Sequence, residues 1–226
     1  QERVRAEGHS VTTLVRKAPS KAHESQWDPM AGTIDTDVIA QADTVINLSG
    51  AGIGDRRWSQ PYRKTLLESR TLTTSLLAST MASLASDGTQ RTLLNASAIG
   101  IYGARGDEEI NENSEHGDGF LADICVEWEA ATTPAEEAGV RVVHLRTGIV
   151  MSKRGGVLKK LLPLFKLGLG GRLGSGRQWQ SWISIDDEVG AIVHLLSTST
   201  EGAVNLTAPN PVTNKEFTAA LGKAVR

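Results

Sequence analysis

The chain has 226 residues, 39% of them hydrophobic and 22% charged, with a formal net charge of -2. That length suits one large domain or a domain with a small lobe, and the near-neutral balance gives no general attraction for a polyanion, so no nucleic-acid partner is expected. The single cysteine, Cys125, rules out an internal disulfide and fits a cytoplasmic setting, while no apolar run approaches the roughly 20 residues of a membrane span, so no membrane partner is expected.

Residues 1–8 read as a helix tail closed by Gly8. Val11 to Val15 is a short strand, followed at once by Arg16 and Lys17. Residues 18–36 are rich in Pro, Ser, Asp and Gly and read as loop, with Trp27 as its anchor. Asp37 to Ala42 is a helical turn. Thr44 to Leu48 is a continuous apolar strand, as expected where both sheet faces are covered. From Pro61 onward Leu66, Thr73, Leu77, Met81 and Leu84 recur at helical spacing, and Arg70 falls on the same face. Arg91 to Ser97 is the next strand, followed by a long polar loop. Phe120 to Ala138 reads as one amphipathic helix with Leu121, Cys125, Trp128 and Thr132 on a stripe and Gly139 at its end. Val140 to Leu145 is a strand. Beyond Gly155 come an apolar helix, a glycine-rich loop with two tryptophans, a helix over Asp186–Leu196, a last strand at Ala203–Thr207 and a closing helix over Thr213–Val225. Strands near 13, 46, 94 and 143, separated by helices, predict an α/β domain with a parallel sheet.

The stretch from Asp43 to Arg70 is the centre of this arrangement. A buried strand runs into a glycine loop and then a long helix, which is how a nucleotide crevice opens beyond the carboxyl end of a parallel strand. Leu48, Ser49 and Gly50 form a strand end whose small residues admit a cofactor, or simply a tight turn. An arginine facing a sheet needs an anionic partner, so Arg70 points to a cofactor phosphate or ribose, with Glu68 or Asp55 as the local alternative. Arg56, Arg57 and Trp58 would grip an acidic or nucleotide substrate, or else make surface ion pairs with acids such as Asp55. Gln178 and Trp182, with Trp179 and Ser181, would line the substrate side or pack as core. The five histidines are scattered without a metal-binding spacing, so no metal is expected.

The runs VINLSGAGIGDRRW, NASAIGIYG, GRLGSGRQWQSWISIDD and NLTAPNPVTNKEF, in that order, resemble the atypical, sugar-nucleotide epimerase-like subgroup of the extended short-chain dehydrogenase/reductases, also labelled a cell-division-inhibitor family. The resemblance runs from Arg5 to Arg226. It implies a Rossmann-type doubly wound sheet that binds NADP(H), with a small C-terminal substrate lobe formed by 153–182 and 207–226. Arg16 would then admit the 2′-phosphate, and Thr147, Gly148 and Val150 would wrap the nicotinamide. Ser97 would polarise a substrate carbonyl or hydroxyl, with Tyr102 as its partner in proton transfer; their plain alternatives are a strand-capping hydroxyl and an anchor under the loop.

Two departures from the family pattern stand out. The opening strand with its G-x-x-G-x-x-G loop is expected to be missing from the start of this chain. In the doubly wound order it would lie between the strand at Val11 and the strand at Thr44. The Tyr-x-x-x-Lys pair of typical members falls at Leu121 and Cys125, neither of which can do that acid–base work. Tyr102 is expected to lack the neighbouring lysine that makes such a tyrosine an efficient base. The function expected is an epimerase- or reductase-like one on an unidentified small or nucleotide-linked substrate, with a non-catalytic, partner-controlling cofactor protein as the alternative.

Overall fold

The computed structural model describes residues 1–225, so Arg226, the expected end of the lobe, lies outside the described residues. Helix α1 (Glu2–Ala6) is followed by Gly8 in the left-handed region, at φ 92°. Three short strands come next: β1 (Thr13–Val15), β2 (Glu24–Asp28) and β3 (Thr33–Ile34). They form a sheet in that order, with β1 and β2 parallel and β2 and β3 antiparallel. The segment expected to be loop therefore contains two strands. Their sequence hides them because ESQWD buries a single side chain, Trp27, and has no apolar alternation around it. The indole is the expected anchor and belongs to the main core.

Helix α2 (Thr36–Ala40) is capped by Asp35, whose carboxylate accepts from the Asp37 N–H at 3.1 Å. Then follow β4 (Thr44–Asn47), α3 (Gln60–Leu84), β5 (Thr92–Ala98), α4 (Phe120–Ala130), α5 (Thr133–Glu137) and β6 (Arg141–Thr147). The expected continuous helix over 120–138 is broken in two. Pro134 lies in the first turn of α5, where its missing N–H is harmless, and the Thr132 hydroxyl turns back onto the Glu129 carbonyl at 2.6 Å. The chain continues through β7 (Ile149–Met151), α6 (Gly156–Lys166), β8 (Trp179–Gln180), β9 (Trp182–Ser184), α7 (Ile185–Leu196), β10 (Gly202–Leu206), β11 (Val212–Thr213) and α8 (Asn214–Ala224). The strand at 203–207 is thus not the last, since β11 pairs with β8. The closing helix has a full capping box between Thr213 and Glu216.

The main sheet has the order β10-β6-β5-β4, parallel throughout. Within the described residues β1 pairs only with β2, and β4 only with β5. Alternation along the strands gives the sheet two different faces. On one, Ile46, Leu94, Val143, Leu145, Val204 and Leu206 pack against Ile192 and Leu195 of α7. On the other, Val45, Leu93 and Val142 meet Leu77, Met81 and Ala135 from α3 and α5. That second face changes character toward the carboxyl ends of the strands. Asn47, Asn95 and His144 are in register across β4, β5 and β6. The next row on the same face is Ser97, Arg146 and Asn205, across β5, β6 and β10.

Candidate functional site

The crevice beyond β4 is shaped by the turn at residues 48–52. Leu48 is exposed, and the Ser49 N–H donates to Asn47 Oδ1 at 3.1 Å. At Gly50 an added Cβ would sit 3.2 Å from the Arg70 guanidinium carbon, so glycine here lets the arginine lie against the loop. Arg70 is only 7% exposed. Its Nη2 donates to the Ala51 carbonyl at 3.1 Å, its Nη1 to the Leu66 carbonyl at 2.9 Å, and its plane stacks over Trp128 at 5.0 Å. Glu68 pairs with Lys64 and Asp55 with Lys160, so neither local carboxylate neutralises it. Burial accordingly pushes the Arg70 guanidinium below its ordinary range.

Behind this loop lies a neutral buried network. Thr74 accepts from Asn47 Nδ2 and from the Trp128 indole, each at 3.0 Å, and donates to Asn95 Oδ1 at 3.0 Å. Asn47 Nδ2 also donates to Asn95 Oδ1 at 2.7 Å. The four side chains tie β4, β5, α3 and α4 together with their polar atoms satisfied.

The adjacent row is charged. Glu129 of α4 accepts from Arg146 Nε at 2.9 Å and Nη2 at 2.8 Å, a two-pronged pairing, and from Ser97 Oγ at 2.6 Å. Burial works to raise the Glu129 carboxyl, but the hydrogen bonds from Arg146 and Ser97 outweigh it and hold the group below the usual carboxylate range. The third nitrogen of Arg146, Nη1, donates to the Tyr102 hydroxyl at 3.0 Å, and Tyr102 donates to Asn205 Oδ1 at 2.7 Å. The sequence expectation concerns a lysine alone; the cation at Tyr102 is an arginine, Arg146, which also lies 5.2 Å over the ring. His144 lies between Glu129, at 3.6 Å, and Glu136, at 3.2 Å. Burial lowers the imidazole's affinity for a proton despite the two carboxylates.

Leu121 and Cys125 lie on α4 as expected. Cys125 is buried, and burial with the nearby Glu129 charge pushes its thiol up to about 11. It stays protonated at neutral pH and is no base. Thr147 donates to Glu188 Oε1 at 2.9 Å. Gly148 lies where an added Cβ would meet the Ser181 carbonyl oxygen at 2.8 Å, so the crossing from β6 into β7 tolerates no side chain. Val150 packs against the core on the α7 side, paired in register with Ile183. Arg16 is exposed at the bend after β1.

The other sequence candidates divide into two groups. Arg56, Arg57 and Trp58 line the loop before α3. Trp58 donates to the Ile53 carbonyl at 2.8 Å and meets Phe120 edge-on at 5.6 Å, while Arg56 lies over Tyr62 at 5.9 Å. Neither Arg56 nor Arg57 makes an ion pair with Asp55 among the described residues. Gln178 and Trp182 lie apart from them around the β8–β11 pair: Gln178 Nε2 donates to the Leu173 carbonyl at 3.3 Å, and Trp182 to the Asn210 carbonyl at 3.1 Å. The polar loop between β5 and α4 joins the β8 side of the second group to the charged row of the sheet. Trp179 donates to Asp107 Oδ1 at 2.6 Å, Arg146 Nη1 to the Glu112 carbonyl at 3.1 Å, and the Asn205 N–H to Glu112 Oε1 at 2.9 Å.

Sequence reasoning missed Glu129, Arg146, His144 and Asn205. Alternation through His144 and Arg146 in an otherwise apolar strand was the available signal.

A parallel sheet covered on both faces, opening at its carboxyl edge onto a glycine turn and a long helix, defines a Rossmann-type protein with a nucleotide crevice. The chain belongs to the NAD dependent epimerase/dehydratase family, whose profile matches residues 1–207. It is 47% identical over 223 residues to Epimerase family protein Mb2239 of Mycobacterium bovis, covering 98% of this chain and 73% of that protein. Among solved structures it resembles the nucleoside-diphosphate sugar epimerase from Corynebacterium glutamicum, with a TM-score of 0.82 and 40% identity over 96% of this chain. This chain spans only 45% of the Corynebacterium protein's length. It also resembles human epimerase family protein SDR39U1, solved with NADPH, with a TM-score of 0.81 and 32% identity, covering 98% of this chain and 75% of that one.

Proposed function

We propose that the crevice binds NADP(H) and that the protein is an epimerase- or reductase-like one acting on a small or nucleotide-linked substrate. The observation that carries this reading is Arg70: a buried guanidinium beside a glycine turn, satisfied by carbonyls and, among the described residues, neutralised by no carboxylate. That surplus positive charge suits an anionic group such as a cofactor phosphate. The crystallised complex of human SDR39U1 with NADPH supports the choice of cofactor. Leu48, Ser49 and Gly50 would lie along the cofactor, Arg16 would hold the 2′-phosphate, and Thr147, Gly148 and Val150 would border the nicotinamide, with Ser97 beside it. When bound, the nicotinamide supplies or accepts a hydride. The chain's own residues orient the partner of that exchange: Ser97 and Tyr102 at the strand ends, with Arg56, Arg57, Trp58, Gln178 and Trp182 around the substrate.

A second reading is a non-catalytic NADP(H)-binding protein that regulates a partner. Leu121 and the protonated Cys125 at the Tyr–Lys positions favour it.

Fluorescence titration of the intact protein with NADPH and NADH tests the cofactor assignment. NADPH is expected to bind more tightly than NADH; binding of neither would sink the proposal, and equal affinity would remove the role given to Arg16. Arg70→Ala is expected to weaken NADPH binding by about 1.5–3 kcal/mol, the worth of a charged hydrogen bond. NADPH turnover with a panel of carbonyl compounds and alcohols separates the two readings.

A further inference from the structure

We propose that the C-terminal lobe holds a ligand site for a small, uncharged and mainly apolar molecule that carries one hydrogen-bond donor, a molecule of the size and kind of a phenol. A cavity of about 200 Å³ is lined by residues of α6, α8, β7 and β8. Val157, Leu161 and Phe165 fall four residues apart along α6, so they form one apolar stripe on the cavity wall. Phe217 of α8 and Ile149 and Met151 of β7 extend that wall. No residue of α6 is fully buried, so its stripe borders open space and not a filled core. At Gly170 an added Cβ would collide with the Phe165 ring, and the lack of a side chain there lets the ring stand against the loop.

Two features define the occupant. No charged side chain lines the cavity among the described residues. A diphosphate or carboxylate would have to shed its water there with nothing to pair with. One polar group is left over. Gln180 lines the cavity, and its Oε1 is buried and accepts no hydrogen bond among the described residues. The other carboxamide in the wall, Asn214, is engaged: its Oδ1 accepts from the Leu173 N–H at 2.8 Å. A buried acceptor is unfavourable until a donor reaches it, and an apolar cavity of about 150 Å³ is already large enough for benzene. A six-membered ring bearing one hydroxyl meets both conditions. Apolar walls with a single convergent polar group are how small-molecule sites are built. Ile149 directly follows Gly148, so the cavity adjoins the segment assigned above to the nicotinamide border. As a statement about the substrate, the inference rests on that reading of the lobe, and it narrows the substrate to a small neutral molecule and away from a nucleotide-linked one.

The test uses phenol and toluene as probes matched in size, with binding followed by ligand-observed NMR on the intact protein, with and without NADP⁺. Both are expected to bind. Gln180→Met is nearly isosteric and removes the acceptor; it should lower the ratio of phenol to toluene affinity about tenfold, the factor set by one buried hydrogen bond, and leave toluene bound. Gln180→Leu repeats the measurement with a second apolar side chain. Leu161→Phe fills the cavity from α6 and should weaken both probes without moving their ratio. Uridine diphosphate is expected not to displace phenol. Binding of neither probe by the unaltered protein at the limit of solubility would overturn the inference. So would a ratio that neither Gln180 variant moves, probe affinities that Leu161→Phe leaves unchanged, or displacement of phenol by uridine diphosphate. Because the probes are also read without cofactor, failure to bind NADP⁺ would count against the cofactor assignment alone.

Discussion

The two faces of the main sheet are built from the same strands and do different work. The face against α7 is apolar almost from end to end, with Leu94, Val143 and Leu145 fully buried. The face against α3, α4 and α5 passes from Val45, Leu93 and Val142 to a neutral amide row and then to a charged row. Interchangeable apolar contacts hold the first face. The second depends on partners with fixed donor and acceptor roles, where one deletion strands several others. Stability should therefore respond to pH chiefly on the second face, with Glu188 of α7 the exception on the first.

The largest expected effect is Arg146→Ala. It leaves Glu129 buried without its cation and should cost about 3–5 kcal/mol at pH 7. The Glu129 carboxyl is held below its ordinary 4.5, so the stability it contributes is present above that value and is lost as pH falls through the lowered one. Urea unfolding of the wild type and Arg146→Ala at neutral and acid pH should show the difference shrinking in acid. A constant gap would break the comparison. Leu145→Ala on the opposite face should cost about 2–5 kcal/mol, by the same amount at both pH values. Thr74→Val, in the neutral row, should cost about 1–3 kcal/mol because it strands the Trp128 indole N–H, again without pH dependence.

The smallest expected change is Glu188→Gln, and it carries the opposite sign. Glu188 is the polar exception on the α7 side: Oε1 accepts from Thr147 while Oε2 is buried without a partner among the described residues. Burial raises its carboxyl above the ordinary range. A raised carboxyl binds its proton better in the folded state, so the wild type loses stability as pH rises beyond the unfolded value. Removing that charge should stabilise the protein by up to about 1 kcal/mol at pH 7, with the gain fading in acid. A loss of melting temperature at pH 7 would show that the carboxylate is served by a partner.

Apolar runs and helical spacing made β4, β5, β6 and α3 legible in the sequence. The inward stripe of α3, including Arg70, is buried as its spacing indicates. Elements escaped where the local code is weak. Strand β2 buries one indole and otherwise looks like loop. The break between α4 and α5 was announced only by Pro134, whose place in a first turn is compatible with either one helix kinked or two. The site was half legible. Ser97 and Tyr102 could be placed by motif, but Glu129 and Arg146 come together only through the packing of α4 on β6, which no short-range pattern encodes. Hydrogen-bond polarity is less legible still, since it depends on every neighbour at once.

Trp179 has one further consequence. Its indole is 48% exposed, yet its N–H is tied to Asp107 on the loop between β5 and α4. Indole emission shifts with its hydrogen bonding and wetting, so this strap is also an optical gauge. Opening of the loop would release Asp107 and change the emission of Trp179, so the molecule carries its own reporter of that loop's movement, readable by stopped flow without any added label.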